Sequence, residues 1–287
     1  MPELVRHHIP ERIVPGKPLG RHVRHDPRSL AYRVQPMGVP ASARWERHTL
    51  VLDQGDVSSC TGNAATGVLG SDPFYATLAS ALRVGLTLDE DEALRLYSDA
   101  TCFDDADGTY PPDDTGSDGL SVAKACKAAG LISGYLHITS LAAAQTAIQT
   151  GPFIVGTNWY AAMDDPDRNG LVHVSGALRG GHEYQCIGYD TTTDLWELVN
   201  SWGPGWGNRG RFFYSSADFV RLLRAYGDAT VFVPLTQPAP SPAPPVASDA
   251  ADQRLADDTR AWSAARHAGE NAKAAKAVTA WRTTKGL

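Results

Sequence analysis

The order of hydrophobic patterns along the chain predicts an α+β fold of two lobes. Helical spacing dominates between residues 60 and 130, whereas short strand-like runs separated by Gly, Asp and Asn turns follow up to residue 214. With 287 residues, 43% of them hydrophobic and 20% charged, the chain can bury a full core.

Residues 1–44 are polar, proline-bearing and without periodicity, and are read as an N-terminal extension clamped along the surface rather than covering a cleft. Trp45 to Leu52 alternates toward Val51-Leu52 as a strand leading into Asp53-Gln54. Cys60 to Leu82 reads as a helix broken near Gly67 to Pro73, because glycine destabilises a helix interior by ~1 kcal/mol. Glu90 to Tyr97 is a second short helix. The run SVAKACKAAG repeats Val122, Ala125, Cys126 and Ala129 at helical spacing, and Gly130 stops it. Phe153–Gly156, Leu171-Val172, Cys186–Tyr189, Leu195–Val199 and Phe212–Tyr214 are the strands of a small antiparallel barrel, so that a cleft should lie between this lobe and the helical one. Beyond the 45–233 domain, residues 234–248 hold six prolines and form a semi-rigid linker. Residues 249–287 are alanine-rich, acidic first and basic last, as a helical tail that docks on the body or on a partner would be.

A net charge of −6 argues against nucleic acid or an anionic membrane as partner. No secretory signal or run of ~18 apolar residues is visible, which points to a cytoplasmic or virion-associated protein. Four cysteines in so long a chain do not make a disulfide framework, and Cys126 and Cys186 fall where small core residues belong.

The chemistry concentrates in three stretches. Cys60 lies six residues after Gln54 and opens a helix, where the positive end of the backbone dipole favours thiolate. His182 follows Gly180-Gly181 at the start of a strand. Asn200 begins NSWGPGWGNRG after another strand. A thiolate, an imidazole and an amide in this order can serve as nucleophile, proton carrier and orienting group, with Gln54 and the Cys60 N–H donating to an oxyanion.

The order, with His182 lying 122 and Asn200 lying 140 residues beyond Cys60, resembles the papain and cathepsin cysteine peptidases. NSWG-x-x-WG-x-x-G is matched at Asn200, Ser201, Trp202, Gly203, Trp206, Gly207 and Gly210, and the likeness runs over residues 45–233. It implies a papain-like two-lobed fold and a cysteine endopeptidase of bacterial or phage type acting on protein or peptide substrates through an acyl-enzyme, with no cofactor. It also implies that Trp202 covers the Asn–His contact, and that Gly116 and Gly119, before the third helix, loosely match a loop that binds substrate backbone. Gly181 joins these as a site-supporting residue.

Two positions depart from the family pattern: Thr61 replaces an aromatic residue after the cysteine, and Glu183 replaces a small residue after the histidine. Strand alternation should turn Glu183 away from the cleft, although a carboxylate nearby could raise the imidazole pKa. Asp165 to Gly170 matches half of a calcium loop but lacks the twelfth-position glutamate, so it is read as a plain turn, with no metal site. The acidic stretch 89–118, with eleven Asp/Glu and one Arg, is read as a solvated face with weak cation binding open. The rival readings are a catalytically silent relative with a structural or binding role and, further off, a cysteine–histidine cell-wall amidase, which would not carry the Asn200 motif.

Overall fold

The computed structural model describes residues 4–79 and 85–236. The tail helix and nearly all of the proline linker, with their proposed docking, fall outside the described residues.

Helical and sheet lobes form as the patterns predict. Helix α1 (Cys60–Leu69) and the single turn α2 (Phe74–Thr77) replace the long broken helix; α3 (Glu90–Ala100) and α4 (Gly119–Ala128) follow. Asp89 and Asp118 cap α3 and α4 by accepting from the first-turn N–H groups. All ten residues of α1 are buried, and its glycines are the reason it can be so central. A Cβ on Gly62 would lie 2.0 Å from the Ala93 carbonyl of α3, and one on Gly67 2.9 Å from Gln185 in the sheet. The sequence rule counts these glycines as a loss of helix propensity; here they allow contact on both flanks. Val68, Leu69, Leu96, Val122 and Cys126 form the core of this lobe.

The second lobe is an antiparallel sheet. Its strands are β3 (Ala43–Arg44), β4 (Gly134–His137), β5 (Phe153–Tyr160), β6 (Leu178–Asp190), β7 (Leu195–Val199), β8 (Arg211–Ser215) and β9 (Asp228–Val233). The order is β4-β9-β5-β6-β7-β8, with β3 against β6. Two short strands of the N-terminal segment, β1 (Val5–His7) and β2 (Val23–His25), pair with each other. Helix α5 (Leu141–Ala147), capped by Ser140, interrupts the part read as all strand, and α6 (Ser216–Arg224) buries Phe219 and Leu222 against the sheet. Two expected strands are absent. Trp45 to Leu52 is a loop that carries only the isolated bridge of Arg47 to Ser71, and Leu171-Val172 makes only an isolated bridge to Phe213.

The N-terminal extension does not clamp the surface as expected. From Pro18 to His22 it threads between the lobes: Gly20 and Arg21 donate to the Gly181 carbonyl at 3.1 and 2.9 Å, while on the helical side the Ser117 N–H donates to the Gly20 carbonyl at 2.9 Å and the His22 N–H to the Ser117 carbonyl at 2.7 Å. Leu19 and Arg21 are completely buried. Polar composition concealed this because the contacts are mostly main-chain hydrogen bonds, which leave no side-chain pattern.

Part of the acidic stretch also turns inward. Asp114 accepts from the Ser58 N–H and the Tyr97 hydroxyl, Asp104 from the Ser117 hydroxyl, and Asp118 is buried as the α4 cap. The reading of a uniformly solvated face is therefore corrected. Asp167 accepts from the N–H groups of Asn169 and Leu171, which makes 165–170 a turn held by its own aspartate.

Candidate active site

Cys60 is the first residue of α1, where N–H groups have no intrahelical partner, and its sulfur accepts from the backbone N–H of Glu183 on β6. That contact sets the thiol one residue from His182. The imidazole Nε2 lies 2.7 Å from Asn200 Oδ1, which also accepts from the Ser201 N–H at 2.8 Å. An amide oxygen fixed as acceptor assigns the proton to Nε2, so Nδ1 is left with its lone pair and makes no hydrogen bond.

Two indoles hold the ring. Trp202 stacks on His182 at 5.1 Å between centroids and 26° between planes, while Trp159 meets it edge-on at 5.0 Å. The motif after Asn200 folds as a loop anchored by Asn200 N–H to the Gly210 carbonyl and Gly203 N–H to the Leu52 carbonyl. Its spacing of bulky and small residues thus returns Trp202 over the ring and sends Trp206 to the Asp164 carbonyl.

Gln54 is placed by Ser201, whose hydroxyl donates to Oε1 at 2.5 Å and so turns Nε2 toward Val57 and Leu19 carbonyls at 2.8 and 3.2 Å. The site is therefore closed by the chain itself: Leu19 offers its carbonyl to Gln54, and the Trp202 indole donates to the Pro18 carbonyl at 2.9 Å. Gly116 and Gly181 are both in contact with this segment. A Cβ on Gly116 would be 2.2 Å from the Gly20 carbonyl, and one on Gly181 2.3 Å from that of Arg21.

Closure decides the electrostatics. Burial, with the Glu183 carboxylate adding to it, pushes the Cys60 thiol far up. Burial lowers His182 to about 3 against the opposing Asn200 bond. In the covered state desolvation favours the uncharged form of both groups and so works against the thiolate that the helix dipole favours. Glu183 does not raise the imidazole pKa, and it does not point to solvent. Its side chain is wholly buried, on the opposite face of β6 from His182, beside Gly119, Gly156 and Arg21. Sequence reasoning missed Arg21, Leu19, Trp159 and Asp228 here; none sits in a motif, and only the odd residue at position 183 signalled the pocket.

A profile of the papain family cysteine proteases matches residues 47–219, more than half of the chain. The chain belongs to the papain family. It is 29% identical over 187 residues to cathepsin B-like cysteine proteinase 5 of Caenorhabditis elegans, covering 58% of this chain and 54% of that one. The chain thus spans about half the length of the curated relatives it matches. Among solved structures, xylellain, a cysteine protease from Xylella fastidiosa, superposes with a TM-score of 0.59 at 15% identity over 78% of this chain and 98% of its own. Digestive procathepsin L 3 from Tenebrio molitor larval midgut gives 0.51 at 18% identity over 76% of each. These two likenesses concern the papain-like α+β fold.

None of the four cysteines of this papain-family chain is in a disulfide, and Cys126 and Cys186 are buried in the two cores as their patterns predict. Among the described residues, Glu46, His48 and Asp72 alone bring three metal-ligating atoms within 4.8 Å, at the surface, where His48 already pairs with Asp72 at 3.1 Å. No helix of the described residues is long and apolar enough to cross a membrane.

Proposed function

We propose that the chain is a cysteine endopeptidase of polypeptides, held latent by its own residues 18–22. The observation that carries this reading is the His182–Asn200 bond, which leaves Nδ1 unoccupied one residue from the place where Cys60 sulfur rests. In the uncovered site, sulfur passes its proton to His182 Nδ1 and adds to the scissile carbonyl carbon. Gln54 Nε2–H and the free N–H at the start of α1 receive the oxyanion. His182 then protonates the leaving amine, and a water deprotonated by the same nitrogen hydrolyses the thioester. Asn200 keeps the ring in the plane that faces sulfur, and Trp202 shields that bond from water.

Residues 45–233 form the catalytic domain in this reading, and the segment before it supplies the cover. The test is labelling of Cys60 by an epoxide cysteine-peptidase inhibitor together with peptide hydrolysis under reducing conditions. Loss of both in Cys60→Ala with an unchanged melting curve supports the assignment. Hydrolysis that survives Cys60→Ala overturns it.

A further inference from the structure

The sulfur and the imidazole ride on two different elements, α1 and β6, and a second set of bonds joins those elements away from the reacting groups. Gly67 lies seven residues along α1 from Cys60, about 10 Å at the rise of a helix. Gln185 lies three residues along β6 from His182, again about 10 Å at the rise of a strand. The two elements meet there: a Cβ on Gly67 would stand 2.9 Å from Gln185 Oε1 and 2.5 Å from Arg47 Nη1. With no side chain on the helix at this point, hydrogen bonds rather than apolar packing set the spacing. Buried Gln185 Nε2 donates to Ser71 Oγ at 2.9 Å, and that hydroxyl donates to the Gly67 carbonyl at 2.9 Å. Arg47 Nη1 donates to Gln185 Oε1.

Arg47 and Ser71 form an isolated antiparallel bridge, and residues so paired share a face, which is why both reach Gln185. The guanidinium also grips a third part of the site. Nη2 donates to the Leu50 carbonyl at 2.7 Å and Nε to the Thr49 carbonyl at 3.3 Å, closing the loop that runs on to Asp53 and Gln54. That loop is fixed further by the Asp53 N–H on Glu90 Oε1 at 2.7 Å and by the Gln54 N–H on the Ser201 carbonyl at 2.8 Å. The three acceptors around Arg47 are uncharged. Desolvation, then repulsion from Arg211, lowers its pKa to about 10 against the attraction of Glu90. An apolar side chain of similar length would avoid that desolvation, so stability alone does not account for a guanidinium here. A rigid fork of donors that reaches a strand side chain and two loop carbonyls does.

We propose that Arg47 and Gln185 are positioning residues, whose bond holds α1 against β6 at the separation where Cys60 sulfur and His182 Nδ1 exchange a proton. This rests on the peptidase reading above. Both act through others: Gln185 through β6 on His182 and through Ser71 on α1, and Arg47 through Gln185 and through the loop that delivers Gln54.

The test is steady-state hydrolysis of an internally quenched peptide by the full chain under reducing conditions, followed between pH 4 and 9. Gln185→Met and Arg47→Met should each lower kcat at least tenfold and leave KM within twofold. The acid limb of kcat/KM should move up by at least half a pH unit, because a more distant imidazolium supports the thiolate less. Since the two residues act through one bond, the double variant should fall no more than threefold below the weaker single one. Arg47→Lys keeps a donor on a flexible stem and should lie between the parent and Arg47→Met; it carries the comparison if the methionine variants do not fold. Leu222→Ala, in the sheet-lobe core on α6, is the control for lost stability alone. Losses that multiply in the double variant, an acid limb that stays in place, or an equal fall of kcat in Leu222→Ala would each overturn the positioning role and leave the peptidase reading standing. If the parent chain cuts no peptide, the peptidase reading fails and the positioning role falls with it.

Discussion

The side-chain amide of Gln54 donates to the main-chain carbonyl of Leu19 at 3.2 Å, so a group suited to an oxyanion is satisfied by the chain's own backbone. Leu19 also fills the sheet-lobe core with its side chain, completely buried. Leu19→Ala should weaken the cover by about 2–5 kcal/mol, in the range for a buried leucine truncated to alanine. Alkylation of Cys60 by iodoacetamide in the full chain should therefore rise at least tenfold. An unchanged rate would mean that residues 18–22 are not what shields the sulfur.

The neutral Cys60–His182 pair has a signature in pH. A thiol pushed up by burial stays protonated at neutrality, and an imidazole lowered to about 3 stays uncharged there. Alkylation of the covered full chain should thus climb steadily between pH 5 and 9, since thiolate forms only as pH rises toward the elevated thiol pKa. In Leu19→Ala, where water reaches the pair, the imidazolium can form and hold a thiolate, so the rate should level off on the acid side. A plateau near pH 6 in the parent chain would contradict the buried neutral pair. The linkage for His182 has the same origin: a folded-state pKa below the unfolded value of about 6.5 gives stability that is present above pH 6.5 and lost as pH falls toward 3.

Trp202 joins the ring to the cover, stacking on His182 and donating to the Pro18 carbonyl. Trp202→Ala should destabilise the fold by about 3–5 kcal/mol, as truncation of a buried aromatic does. At ~2–4 °C per kcal/mol for a domain of this size, calorimetry should record a melting temperature lower by at least 6 °C. Trp202→Phe keeps a stacking face but loses the donor, so it should loosen the cover more than it lowers the melting temperature. A fall below 3 °C for the alanine variant would show that the indole is not part of the packed site.

The helices α1, α3 and α4, the central strands and the cysteine, histidine and asparagine were legible because each rests on local periodicity or on a tight motif. β7 matches its expected bounds, Leu195–Val199, and Cys60 opens α1 as read. What the sequence hid depends on partners far along the chain. β4 and β9 form edge pairs whose alternation is short, and α5 is an alanine run with little amphipathic contrast. The path of residues 18–22 through the cleft is written in backbone hydrogen bonds. Strand alternation predicts that Glu183 turns away from His182, but alternation tells only which face a residue takes and not what covers that face; here Arg21 and α4 cover it.

The same limit explains the glycines of α1, and they give a sharp test. Gly62 faces α3 so closely that an added Cβ would stand 2.0 Å from the Ala93 carbonyl and 2.9 Å from Tyr97 Cβ, and both are parts of a packed helix that cannot swing aside. Gly62→Ala must push α1 from α3, and Cys60 moves with it because it begins the same helix. Overpacking of this kind costs about 1–3 kcal/mol even where ordinary propensity would favour alanine by about 1 kcal/mol. Gly205→Ala is the matched control, with nothing within 4 Å of its Cβ position. Gly62→Ala should lower the midpoint of urea unfolding, and Gly205→Ala should leave it within 0.5 kcal/mol of the parent, roughly the spread of ordinary surface substitutions. Equal midpoints for both variants would mean that the distance between α1 and α3, and with it the placement of the sulfur, is not set by Gly62.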